Sequence, residues 1–246
     1  MIVPPCATKE DVPRAFGEVC EELAVMLPWL KVAVREGRTK ESWSSRFGVC
    51  VTFLGTWGLA VVLREIADTM DYRLPDLFES APREVRQYFS RRHAAWPRPY
   101  SRNHLELLEQ VKADWREYIA TAPVDLRRLV DEHYRDTALG PLSLFGPFDN
   151  IYDLNYWLYE RDTLEFFVIG LGDAGWDPSA YQAELRGLDP KLREALEKQA
   201  SYFEREEPLS KSAVGLLNVD WYPERFWWRH YPWLEGETRE ADFPPS

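Results

Sequence analysis

Between Arg46 and Arg64 the chain reads FGVCVTFLGTWGLAVVL, without a single charge. No other stretch restricts the possible fold as much. An apolar run of this kind must be covered, either by lipid or by the rest of the protein. Its length sits at the lower limit for a spanning helix, which needs roughly 17–25 residues. Its glycines and threonines weaken it as a span, and LREIAD continues the same helical phase with charges. The run reads as a buried central helix, or as a short β element near 48–56 followed by a helix. No membrane span is expected.

Covering such a helix requires other helices with an apolar face, and the rest of the chain offers them. Residues 10–27 are amphipathic, and LPWLKVAVREG extends or restarts that helix up to Gly37. Ser80 can cap a helix with Pro82 in its first turn. Ser101 or Asn103 can cap the next, where Leu105, Leu108, Val111, Trp115, Tyr118 and Ile119 share one face. Pro123 opens a segment that ends at Gly140, and residues 140–148 form a loop. In the mixed stretch that follows, Asp149 and Asp162 are both plausible caps. Asp177-Pro178 and Asp189-Pro190 each place a carboxylate directly before a proline, so each is expected to begin a helix. Pro208 ends the last one. The reading is an all-α chain of about eight helices. Its 246 residues and 45% hydrophobic content suit a single compact domain over residues 1–207.

The remaining segment, 208–246, contains VDWYPERFWWRHYPWL at 219–234. Pro223 and Pro232 exclude one long helix. So many rings left in water would make an apolar patch that monomers rarely carry. The segment is expected to wrap back on the helices as a clasp. A partner surface with Trp227, Trp228, Arg229 and Trp233 as anchors is the competing reading.

Charge is unevenly placed. The formal net charge is −11; residues 1–120 are neutral, so the whole excess falls in 121–246. A field of that sign repels nucleic acid and favours a basic protein partner. Cys6, Cys20 and Cys50 form no C-x-x-C pair, which points to a reducing, cytoplasmic setting. The N-terminus lacks a basic start followed by an apolar run, so no secretory leader is expected.

Three patterns could carry chemistry. Gly170-Leu-Gly172-Asp-Ala-Gly175 matches the dinucleotide fingerprint, but Trp176-Asp177-Pro178 interrupts before a helix starts. A helix C-terminus followed by a turn accounts for it better. Glu18 and Glu21 stand at i, i+3, as do Glu65 and Asp68. On facing helices, four carboxylates could hold Mg²⁺ against the phosphates of a nucleotide. This E-x-x-E … E-x-x-D arrangement, over residues 10–70, resembles the all-α nucleoside triphosphate pyrophosphatases of the MazG type. The resemblance implies that the carboxylates bind Mg²⁺ and that water attacks the phosphate chain. The gap between the pairs is much longer here than in that family. Solvated helix faces are the plainer account of such pairs.

The third pattern is basic. Arg83, Arg86, Arg91 and Arg92 lie among Tyr88, Phe89 and Trp96, a mixture that can hold phosphates and stack bases. Docking on the acidic half explains it equally well. His93, His104, His133 and His230 are too scattered for a zinc site, and His133 reads as solvent-exposed near a helix end. No metal or other cofactor is expected. The favoured function is an interaction protein, in one version an immunity- or antitoxin-type protein that covers a basic partner. The Mg²⁺-dependent hydrolase and the phosphate or nucleic-acid binder stand as alternatives.

Overall fold

A computed structural model describes residues 9–39, 48–69, 102–122, 124–135, 151–205, 217, 219 and 221–230. Among these there are six α-helices and no strand: α1 (Val12–Arg35), α2 (Val49–Thr69), α3 (Arg102–Thr121), α4 (Leu126–Tyr134), α5 (Ile151–Asp173) and α6 (Ser179–Arg205). A 3-10 turn at Lys9–Asp11 leads into α1, and another at Trp227–Arg229 lies in the C-terminal segment. The Ser80 cap, the 140–148 loop and Asp149 lie outside the described residues.

The charge-free run is the centre of the bundle. Every residue from Val49 to Ala60 is buried, so the strand considered for 48–56 is corrected to continuous helix. Bulk on all sides of α2 needs neighbours on all sides, and α1, α4 and α5 supply them. Phe53 and Trp57 also meet Trp115 of α3, with ring centroids 5.3 and 6.3 Å away. α2 is long and apolar enough to cross a membrane, but 83% of its apolar window is buried inside this fold.

Among the described residues, α2 and α5 make the closest helix–helix contact. The helices run antiparallel, with Gly58 against the Phe166 carbonyl and Gly170 against the Leu54 carbonyl. A Cβ built on Gly58 would lie 1.7 Å from the Phe166 oxygen, and one on Gly170 would lie 1.9 Å from the Leu54 oxygen. Only hydrogen fits at either position. The first glycine of the apparent nucleotide motif is thus a helix-crossing residue. The last, Gly175, ends α5 at φ +88°, where its N–H donates to the Gly172 carbonyl and that of Trp176 to the Leu171 carbonyl. This double bond pattern is a Schellman cap, which favours glycine at the left-handed position. Gly37 ends α1 in the same way at φ +70°.

Other boundaries follow the sequence reading only in part. Pro28 lies inside α1 without ending it; it is exposed, where water can serve the carbonyl one turn back. The helix expected to open at Pro123 begins at Leu126, with Asp125 accepting from the Arg128 N–H. Asp177 does cap α6, accepting from the Ser179 N–H and hydroxyl, which holds its carboxyl below the usual range. Asp189 starts no helix: Pro190 sits within α6, and the Asp189 carboxylate turns to Arg161 on α5. His133 is buried rather than exposed, its ring filling the space that the missing Cβ of Gly48 leaves.

Candidate functional site

The most concentrated chemistry lies in the middle of α5. Glu160, Arg161, Asp162 and Thr163 are consecutive and all buried. Successive helical residues point about 100° apart, so a block of four faces every side and needs a different partner on each. Asp162 was expected to cap a helix; it is instead a mid-helix carboxylate with no exposed surface.

Its partners come from the C-terminal segment. The Trp228 indole N–H donates to Asp162 Oδ1 at 2.7 Å. Arg229 donates to Oδ2 twice, from Nε at 2.9 Å and from a terminal nitrogen at 2.7 Å. The other terminal nitrogen of Arg229 donates to Asn155 Oδ1 and to the Leu217 carbonyl, each at 3.1 Å. The guanidinium also lies 4.5 Å from the centre of the Tyr159 ring. Burial by itself would lower the pKa of this arginine. The charge and hydrogen bonds of Asp162 outweigh that and raise it, so the guanidinium keeps its charge.

Arg161 extends the network to α6. It donates to Glu165 at 2.8 Å and to Asp189 at 3.2 Å, and its guanidinium lies 3.9 Å from the Trp228 ring centre. Arg193 of α6 sits over Trp227 at 4.2 Å. Rings complete the attachment: Phe166 of α5 meets Phe226 at 5.3 Å and Tyr222 at 6.1 Å. The clasp closes on itself where the Val219 N–H donates to the Arg229 carbonyl. Both oxygens of Asp162 already accept charge-assisted or indole hydrogen bonds, so it is no free base or nucleophile. The arrangement recognises an arginine beside a tryptophan, and here both belong to the chain itself.

A smaller polar cluster marks the end of α5. Asp173 accepts from the Trp57 indole N–H at 2.7 Å and pairs with Lys112 of α3 at 2.9 Å. A carboxylate at a helix C-terminus opposes the helix dipole, and the lysine offsets it. Nearby on α6, the Tyr181 hydroxyl donates to Asp131 of α4. Burial and that carboxylate raise the phenol pKa, so the hydroxyl stays protonated.

The residues singled out in the sequence are placed as follows. Trp228 and Arg229 have no exposed surface, which corrects the reading of them as partner anchors: a side chain sealed in the core presents nothing to a second protein. Trp227 is half-buried under Arg193. Trp233 and the arginines at 83, 86, 91 and 92 lie outside the described residues. The four acidic residues are exposed, and each faces its own neighbour. Glu18 pairs with Arg14, and Glu21 lies 3.4 Å from the His104 ring. Glu65 takes two hydrogen bonds from Arg225, and Asp68 lies 3.6 Å from Arg64. Among the described residues no group of three or more His, Cys, Asp or Glu is placed to hold a metal ion.

The sequence reading missed Asn155 and Arg161, and it took Asp162 and Asp189 for helix caps rather than ion-pair partners. A signal was present: E-R-D falls between aromatic and apolar runs of α5, and an arginine sits among the rings of the clasp. Charges in such settings must find each other.

Cys20 and Cys50 are free, and burial pushes both thiols up to about 12. They are therefore protonated at neutral pH and slow to react. Treatment of the native protein with iodoacetamide at pH 8, followed by peptide mass mapping, should leave both unmodified until denaturant is added. Labelling at the rate of a free thiol would contradict their burial.

The chain matches no protein-family model, and neither curated proteins nor solved structures yield a match.

Proposed function

We propose that this protein works by binding another protein that carries a basic surface. The supporting observation is the charge layout: residues 121–246 hold the entire net charge of −11. Arg161 and Arg229 are buried against carboxylates, so these pairs cancel internally and remove none of the excess from the surface. An acidic field of this kind steers a basic partner and speeds its encounter. An immunity- or antitoxin-type role, covering the active site of a basic protein, is one concrete form of the proposal. A cytoplasmic setting belongs to it as well and draws support from the free thiols of Cys20 and Cys50.

The hydrolase reading draws no support from geometry, because Glu18, Glu21, Glu65 and Asp68 each face a cation or a histidine of their own. The test is affinity capture from native lysate at low and high salt, followed by reconstitution with the purified captured protein. A basic protein should be retained at low salt. Its affinity should fall on the order of tenfold as salt shortens the Debye length from about 10 Å at 0.1 M towards 3 Å at 1 M. Absence of a partner at both salt concentrations, or an affinity indifferent to salt, would overturn the reading.

A further inference from the structure

The clasp carries rings at Trp221, Tyr222, Phe226, Trp227 and Trp228, and on α5 Phe166 meets two of them, Tyr222 and Phe226. Hydrophobic attraction is non-directional. Rings this closely spaced could slide along such a helix, one taking the place of the next. The ion pair cannot slide. Asp162 has no exposed surface and accepts three hydrogen bonds from Trp228 and Arg229. Any other register leaves a buried carboxylate facing a ring.

Arg225 stands four residues before Arg229 and meets Glu65 on α2, so two arginines on one strip answer two carboxylates on two helices. The sites differ in kind, since Asp162 is sealed and Glu65 is exposed. A buried pair often contributes little net stability relative to apolar residues of the same size, and its attested use is to specify one arrangement.

We infer that the Asp162–Arg229 pair is a register lock: it selects the single alignment in which the clasp closes on α5, while the aromatic burial supplies the holding energy. This inference is independent of the partner proposal and stands or falls without it.

The experiment compares the full chain with Asp162→Leu/Arg229→Met and with Arg229→Lys, using thermal melts, amide exchange and indole NMR. The double variant should melt within a few degrees of the natural protein. Its amides at Val219, Tyr222, Phe226 and His230, all hydrogen-bonded in the clasp, should lose protection by about tenfold. Its indole resonances should broaden or multiply as registers interchange. A double variant with natural protection and one set of indole signals overturns the inference. So does one whose melting falls far below the natural protein, because the pair would then be a main source of stability. Arg229→Lys keeps the charge and loses the fork. It should retain the fold while clasp protection drops by a similar factor, and unchanged protection there also overturns the lock.

Discussion

Arg229→Met should lower stability by about 3–5 kcal/mol, because it removes one partner of a buried pair and leaves the other charge without a cation. In a chain of this size that is a fall in Tm on the order of 10 °C. The loss is specific to the single change. Asp162 would keep only the Trp228 indole as a donor at 2.7 Å, in a site without solvent exposure. Asn155 and the Leu217 carbonyl would lose their donor as well. Chemical denaturation read by tryptophan fluorescence tests this directly, since Trp227 and Trp228 sit beside the change. A loss below about 1 kcal/mol, the level of an exposed ion pair, would show that water reaches Asp162 and that the clasp is not sealed.

Gly58→Ala is the second large effect, and its sign opposes local preference. In an open helix this change is favourable by about 1 kcal/mol. Here the new methyl would lie 1.7 Å from the Phe166 oxygen, 2.6 Å from its carbonyl carbon and 2.8 Å from the Gly170 nitrogen. All three are backbone atoms, so no rotamer change makes room. α2 and α5 must separate along their most intimate contact, and a net loss of about 3 kcal/mol is expected, at the upper end of overpacking costs. Gly187 provides the control. It lies on α6, and a Cβ there meets nothing within 4 Å. Gly187→Ala should therefore stabilise the protein by about 0.5–1 kcal/mol. Melting curves for the two variants should move in opposite directions. Movement in the same direction would mean that α2 and α5 do not approach as closely as described.

Much of the fold was legible in the sequence because local rules decided it. The apolar run before Arg64 could only be a covered element, and LREIAD fixed its helical phase. The face of α3 reads directly from spacing: Leu108, Val111, Trp115 and Tyr118 are the buried residues. Gly37 and Gly175 mark helix ends because the left-handed turn favours glycine, and Asp177 caps because its carboxylate reaches a backbone N–H two residues on. These are contacts within a few residues of chain, and composition and order contain them.

The candidate site was not legible, for the same reason in reverse. Asp162, Asp189 and Asp177 look alike in sequence, as acids beside a possible helix start. Asp177 caps. Asp189 reaches back to Arg161, and Asp162 reaches forward to Arg229, with α6 between them in the chain. Local propensity cannot tell a capping carboxylate from one drawn into a distant ion pair, because the partner is chosen by packing. Gly170 is a similar case: its spacing matches a dinucleotide fingerprint that its neighbours reject, and its role is set by the carbonyl of Leu54. By itself the sequence determined an all-α chain with a central apolar helix and its main helix ends, since those follow from local periodicity and backbone chemistry. Only the tertiary structure decided which charges are buried, which glycines are crossings and where the clasp closes, because each depends on groups that the chain order keeps far apart.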